Sequence, residues 1–130
     1  MYRKMKELKE IKGEEEVKIM VDSFYDKVNE DDLLSPIFNG FSKVNWDKHL
    51  PIMYNFWGTV LFGKGSYSGS PFPKHLSLPV EDKHFERWVE LFKQTIDENF
   101  TGEMADSVKL RAQSIAITFS SKIKMLKEQK

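Results

Sequence analysis

Apolar residues return every three or four positions through four separate stretches of this chain, and that spacing leaves few folds open to it. Val17, Met20, Val21, Phe24 and Val28 fall on one face of a helix that begins near Glu14, and Glu14, Glu15 and Glu16 suit the positive end of its dipole. Tyr25, four residues after Val21 and three before Val28, shares the inward side. Asn29 to Asp32 break the pattern, and LLSPIFNGF, with its Pro and Gly, predicts a short turn or 3₁₀ segment carrying Phe38 and Phe41. A second helix carries Trp46, His49, Met53, Phe56, Trp57, Val60 and Leu61 inward. Asn45 is its expected N-cap, although Pro51, which lacks an amide donor, sits more comfortably in the first turn of a helix starting near Lys48. A third spans about residues 81 to 100 with Phe85, Trp88, Val89, Phe92, Ile96 and Phe100 inward, closed by Thr101 and Gly102. A fourth begins near Glu103 and carries Met104, Val108, Ala112, Ile115, Phe119, Ile123 and Leu126. Four amphipathic helices without a strand pattern predict an all-α fold.

Its 130 residues suit a single domain with a core from about 14 to 126, and ten Phe, three Trp and four Tyr are ample to fill it. The first dozen residues and the closing KIKMLKEQK, rich in Lys and Glu, read as solvated or frayed helical ends. Twenty basic residues balance twenty acidic ones, so no net field favours nucleic acid or an anionic membrane. Cysteine is absent, which removes disulfides, Cys-ligated zinc, iron–sulfur clusters and thiol catalysis and fits a reducing compartment. The opening MYRKMKELKEIKGEEE interrupts every apolar residue with charge, unlike a secretory signal, and no apolar run approaches the length of a membrane span. A soluble, cytoplasmic protein is expected.

Between the second and third helices lies GKGSYSGSPFPKHLSLP, too broken for a helix and too apolar for a mere linker, as if packed against something. It holds His75 between Pro73 and Pro79 on a stiff backbone. A loop histidine is ordinarily just solvated, but a neutral imidazole on a stiff segment is also what axial ligation of haem iron requires. Of the other two histidines, His49 lies on the inner face of the second helix, one turn before Met53, and His84 reads as a surface residue at a helix start. Tyr25, His49 and Trp88 come from three helices and each brings a hydrogen-bond donor to an apolar interior, where donors need acceptors.

With these residues in place the chain resembles the truncated haemoglobins, and within them it is most similar to group III. The resemblance runs from Glu14 to about Met125. In FYDKVNEDDLLSPIF, Tyr25 takes the place of the distal tyrosine and Phe38 that of the phenylalanine packed on haem. In WDKHLPIMYNFW, His49 takes the distal histidine position and Met53 a bulky apolar one, with Pro51 bearing on how His49 enters the pocket. YSGSPFPKHLSLP resembles the segment leading to the proximal histidine, which puts His75 on the iron, and in FERWVELF Trp88 matches the distal tryptophan of groups II and III. Glycine motifs usual around the first helix of groups I and II are not evident, as expected of group III.

The resemblance implies a two-over-two helical sandwich whose four long helices are the family's B, E, G and H helices. It implies haem b, iron protoporphyrin IX, between the second helix and the His75 loop, its faces covered by Phe38, Met53, Phe72, Leu78, Phe85 and Ile115. Tyr67, Lys74 and Arg87 are candidates for its propionates. Oxygen, nitric oxide, carbon monoxide or peroxide are the implied ligands. Hydrogen bonds from Tyr25 and Trp88 imply high oxygen affinity and slow release, a poor property for oxygen transport, and leave open storage, nitric oxide dioxygenation or peroxide handling with an external reductase. Two other classes compete. In a haem-free helical interaction module every aromatic is core, and the purified protein has no Soret band. A metal hydrolase would need a motif such as HExxH, which is absent.

Overall fold

The computed structural model describes residues 8–41, 45–63 and 81–128. Among them four α-helices account for almost everything: α1 (Glu14–Glu30), α2 (Trp46–Phe62), α3 (Asp82–Asn99) and α4 (Glu103–Glu128). Helix α1 packs on α2 and α3, and α3 on α4, a pair of helices laid over a pair, which is the two-over-two sandwich. Among the described residues no helix is long and apolar enough to cross a membrane.

Each boundary has a local cause. The Glu16 carboxylate accepts the Lys12 and Gly13 amides, both at 3.0 Å, and so caps the orphan donors that open α1. Helix α2 begins at Trp46, nearer the Asn45 reading than the Lys48 one, and Asn45 makes no side-chain cap. Pro51 therefore lies inside α2 on an exposed face, where water can serve the carbonyl left without an amide partner. Gly63 ends α2 at φ 65°, a left-handed value that favours glycine, with its amide on the Thr59 carbonyl at 3.0 Å. Gly102 at φ 99° makes the turn between α3 and α4, with the Glu10 side chain 3.4 Å from where a Cβ would stand.

Three details depart from the sequence reading. Pro36–Phe41 is a π-helix rather than a 3₁₀ turn. Leu34 and Ile37 are buried, and the Asn39 amide bonds to Asn29 Oδ1 at 2.9 Å and Ser35 Oγ at 3.1 Å; those anchors hold the turn wide. Residues 8–12 are not a frayed helix but an extended strap. Lys9 pairs with the α3–α4 junction through Lys9 N to Asn99 O (3.1 Å) and Thr101 N to Lys9 O (2.9 Å), and Ile11 is buried. His84 does start a helix but is buried, because its Nδ1 accepts the Glu81 amide at 2.9 Å and leaves the ring folded against α3.

The core sits where α1, α3 and α4 meet. Met20, Val28, Ile96, Val108 and Ala112 are fully buried, and Ala105, Ala112 and Ala116 keep one face of α4 low enough for α3 to approach. Thr95 is fully buried too, its hydroxyl satisfied by the Leu91 carbonyl at 2.8 Å.

Candidate functional site

Tyr25, on the inward side of α1, is the centre of an aromatic cluster drawn from every element that reaches it. Its ring lies 4.9 Å from Phe24, 5.1 Å from Trp46, 5.2 Å from His49 and 5.8 Å from Phe38, centroid to centroid. Phe24 in turn meets Trp88 edge-on at 5.3 Å, and Trp88 stacks on Phe92 at 5.5 Å. One ring thus separates Tyr25 from Trp88, although they are contributed by α1 and α3. Such offset and edge-to-face contacts are each worth about 1 kcal/mol beyond area burial, and they fix the rings in place.

The polar atoms of this cluster are what distinguish it from ordinary core. Tyr25 is 5 % exposed, and among the described residues its hydroxyl makes no hydrogen bond. Burial alone drives its phenol far above the usual range, so at neutral pH it keeps its proton and can only act as an O–H group. The Trp88 indole N–H likewise finds no acceptor among the described residues. His49, beside Tyr25 and Trp46, has its Nε2 shut off from solvent. Met53 is half-buried one turn further along α2 and packs against the same core. A hydroxyl on a buried ring ordinarily has a partner. A flat apolar cofactor that brings a small, electron-rich ligand into this space supplies one. Such a cofactor carries its own metal and asks the protein for one axial donor, so the lack of a three-residue His or carboxylate cluster among the described residues is no obstacle.

The wall predicted for such a cofactor is brought together only in part. Phe38 stacks on Trp46 at 6.0 Å, and Phe85 packs with Ile37 and Ile123 next to Phe38. Ile115 lies further round, lining with Phe56, Val60 and Phe119 a groove of about 790 Å³ between α2 and α4. His75, Phe72, Leu78, Tyr67 and Lys74 lie outside the described residues. Arg87 is held by Asp31 at 2.7 Å and also meets Glu90 at 3.4 Å.

Two residues at this site carry more than their sequence context suggests. Trp46 is half-buried and donates its Nε1–H to Asn39 Oδ1 at 2.9 Å, so the π-helix orients the ring that covers Tyr25 and His49. Its placement one turn before His49 on the same helix face was the available signal. Asp31, just beyond α1, is buried: its carboxylate accepts the Leu33 and Leu34 amides at 3.1 and 3.0 Å as well as Arg87 Nε. The clamp ties the end of the helix that carries Tyr25 to the residue beside Trp88.

Burial pushes the Asp31 carboxyl up, but the Arg87 hydrogen bond and charge and the two amides outweigh it, leaving the group below the usual carboxylate range. Asp31→Ala should cost about 3 kcal/mol, since it strands two amides and a guanidinium together. Urea unfolding at neutral pH measures that loss. Because the folded-state value is depressed, the stabilisation is present above the unfolded carboxyl value of about 3.9 and disappears as pH falls through the lower folded value. Asp31→Asn should lack that acid-dependent component; an unchanged acid limb would refute the assignment.

Comparison with known proteins agrees with this geometry. A family model described as bacterial-like globin matches residues 8–119, starting at the strap rather than at α1. A group 3 truncated haemoglobin of Campylobacter jejuni is 37% identical over 113 residues, covering 84% of this chain and 89% of that one. The crystal structure of the group III truncated haemoglobin from Campylobacter jejuni superposes with a TM-score of 0.82 at 34% identity, over 90% of this chain and 95% of that one. The X-ray structure of a truncated oxygen-avid haemoglobin from Bacillus subtilis gives a TM-score of 0.69 at 25% identity, over 82% and 92% of the two chains.

Proposed function

Because this chain belongs to the bacterial-like truncated globins and is most similar to their group III, and is therefore a haem-binding globin, we propose that it takes haem through His75 and holds oxygen tightly beneath Tyr25 and Trp88. The observation that carries the reading is the buried Tyr25 ring, whose hydroxyl has no hydrogen-bond partner among the described residues, one ring away from the half-buried indole of Trp88.

Haem, when bound, supplies an iron that takes up diatomic ligands and exchanges electrons. The protein residues do the rest. Phe38, Met53 and Phe85 cover the macrocycle by removing apolar area from water, worth about 25 cal/mol per Å². Phe72, Leu78 and Ile115 complete that cover in the same reading, and Tyr67, Lys74 and Arg87 serve the propionates. Arg87 can join only at the cost of sharing its guanidinium with Asp31 and Glu90. Haem b is the cofactor the family likeness suggests, and a chain with no cysteine cannot form the thioether bonds of c-type attachment.

Tyr25 and Trp88 would donate hydrogen bonds to a small ligand that carries partial negative charge, an interaction stronger than a neutral hydrogen bond. His49, at the side of Tyr25, is the group able to give or take a proton there. Tight retention fits the oxygen-avid description of one matched structure and suits redox work at least as well as carriage. Nitric oxide dioxygenation or peroxide handling, with electrons from a separate reductase, is the activity we assign to such a pocket, and the cytoplasm is the compartment that a cysteine-free chain suits.

The decisive measurement is the visible spectrum of protein produced with ample haem, first ferric, then reduced under carbon monoxide. An intense Soret band that moves on reduction and again with carbon monoxide is expected. Colourless protein that ignores added haemin would leave a helical interaction module in its place.

A further inference from the structure

With no hydrogen bond to a described residue, the Tyr25 hydroxyl takes its direction from the packing of its ring. The phenol oxygen lies on the ring axis, so whatever lets the ring tilt also swings the hydroxyl. On one side the ring meets Phe24, which is 2 % exposed and fixed in the core; on the other it meets Trp46 at 5.1 Å, which is only half-buried. What holds Trp46 is a single side-chain hydrogen bond, from its Nε1–H to Asn39 Oδ1 at 2.9 Å.

Asn39 is held in turn. Its amide donates to Asn29 Oδ1 at 2.9 Å and to Ser35 Oγ at 3.1 Å while its oxygen accepts the indole. Both amide hydrogens and the oxygen are therefore engaged with side chains, although Asn39 is exposed and exposed amides mostly bond to water or backbone. Asn29 stands on α1 one turn beyond Tyr25, on the same side of the helix. The contacts close on themselves: Tyr25 to Trp46, Trp46 to Asn39, Asn39 to Asn29, and along one turn of α1 back to Tyr25. Hydrogen bonds so open to water contribute little to folding, and their effect is to fix direction.

We propose that Asn39 is a positioning residue for the ligand site: it sets the tilt of Trp46 and, through that ring, the direction of the Tyr25 hydroxyl, without touching the ligand. The inference rests on the reading of Tyr25 as a hydrogen-bond donor to oxygen. A hydrogen bond weakens steeply as its angle departs from straight, so a slack ring gives up part of the bond while the hydroxyl stays in place. The consequence is faster ligand release, and Tyr25 must transmit it.

In the holoprotein, Asn39→Leu should speed oxygen release about threefold to tenfold, the equivalent of one neutral hydrogen bond, and move the C–O stretch of the carbon monoxide form in the same direction as Tyr25→Phe moves it. In a Tyr25→Phe background it should add nothing, because the group it acts through is gone. Asn29→Ala, which cuts the circuit at its next link, should give a smaller change of the same sign. Asn39→Asp should release oxygen at close to the parent's rate, since a carboxylate accepts the indole N–H and can accept from a turned Asn29 amide and the Ser35 hydroxyl. A second readout needs no ligand kinetics: the Trp46 indole N–H resonance, identified among three tryptophans by its absence from Trp46→Phe, should move upfield in Asn39→Leu and stay in place in Asn39→Asp. Equal acceleration with and without the Tyr25 hydroxyl overturns the proposal, and so does an indole resonance indifferent to Asn39→Leu. Fast release from Tyr25→Phe beside an unchanged rate in Asn39→Leu overturns this proposal alone. Release left slow by Tyr25→Phe overturns the donor reading and this proposal with it.

Discussion

A His75→Gly chain should leave purification nearly colourless, with its affinity for haem lowered at least about 100-fold and restored in part by added imidazole. Each of the two other histidines has a place in the described fold that leaves it a poor substitute. The His84 Nδ1 is occupied by the Glu81 amide and the ring is buried at the start of α3. His49 is wedged edge-on between Tyr25 and Trp46 on α2. Removing one axial donor should therefore not be repaired from within the chain. A stability measurement separates this from simple misfolding: the variant should unfold where apo wild-type protein unfolds, and lose the extra stability that excess haem gives the parent. His84→Ala is the converse control, since it should destabilise the fold and keep the colour. Full haem retention by His75→Gly with an unaltered ferric spectrum would move the axial ligand to another residue, His49 first.

What the sequence discloses about this fold, and what it withholds, divide along the range of the interactions involved. The faces of α1 to α4 could be read because helix period is a local property: Val17, Met20, Val21, Phe24 and Val28 announce their side whatever they pack against. The end of α3 and the start of α4 were legible for the same reason, through Thr101 and Gly102. Asp31 could not be read. As sequence it is one of several polar residues that stop a helix, and its burial depends on an arginine 56 residues away. The π-helix was misread because Pro and Gly argue for a tight turn, while the hydrogen bonds of Asn39 to Asn29 and Ser35 that hold it wide have no periodic trace. Residues 8–12 looked solvated because charge surrounds Ile11, and a single apolar residue joining the buried core leaves no pattern either. At the site, the inward facing of Tyr25, His49 and Trp88 was legible residue by residue. Their roles came from the family resemblance, and the part of Trp46 emerged only when the rings were seen together.

Tyr25→Phe and Trp88→Phe should each speed the release of oxygen, by about 10- to 150-fold, which corresponds to the 1.5–3 kcal/mol of a hydrogen bond to a charged acceptor. The two donors approach from different helices through a shared neighbour, Phe24, so their effects need not add. If both serve one ligand atom, the double variant should lose less than the product of the single effects, because the first loss lets the ligand turn toward the remaining donor. Stopped-flow dissociation against carbon monoxide gives all three rates. The proton of Tyr25 supplies an independent check. Burial raises its ionisation above the ordinary value near 10, so its folded state resists losing the proton while the unfolded chain does not. Stability from this source is whole below about pH 10 and declines above it by about 1.4 kcal/mol per pH unit until the folded phenol itself ionises. Tyr54, bonded to Asp22 and pushed up to about 12, adds a similar alkaline loss that Tyr25→Phe leaves untouched. Tyr25→Phe should therefore flatten the alkaline limb of the stability curve by one proton while releasing oxygen quickly at neutral pH. If the limb flattens but release stays within about twofold of the parent, below even a weak hydrogen bond's worth, then the hydroxyl is buried yet does not face the ligand. In that event the donor role would rest on Trp88 and His49 alone.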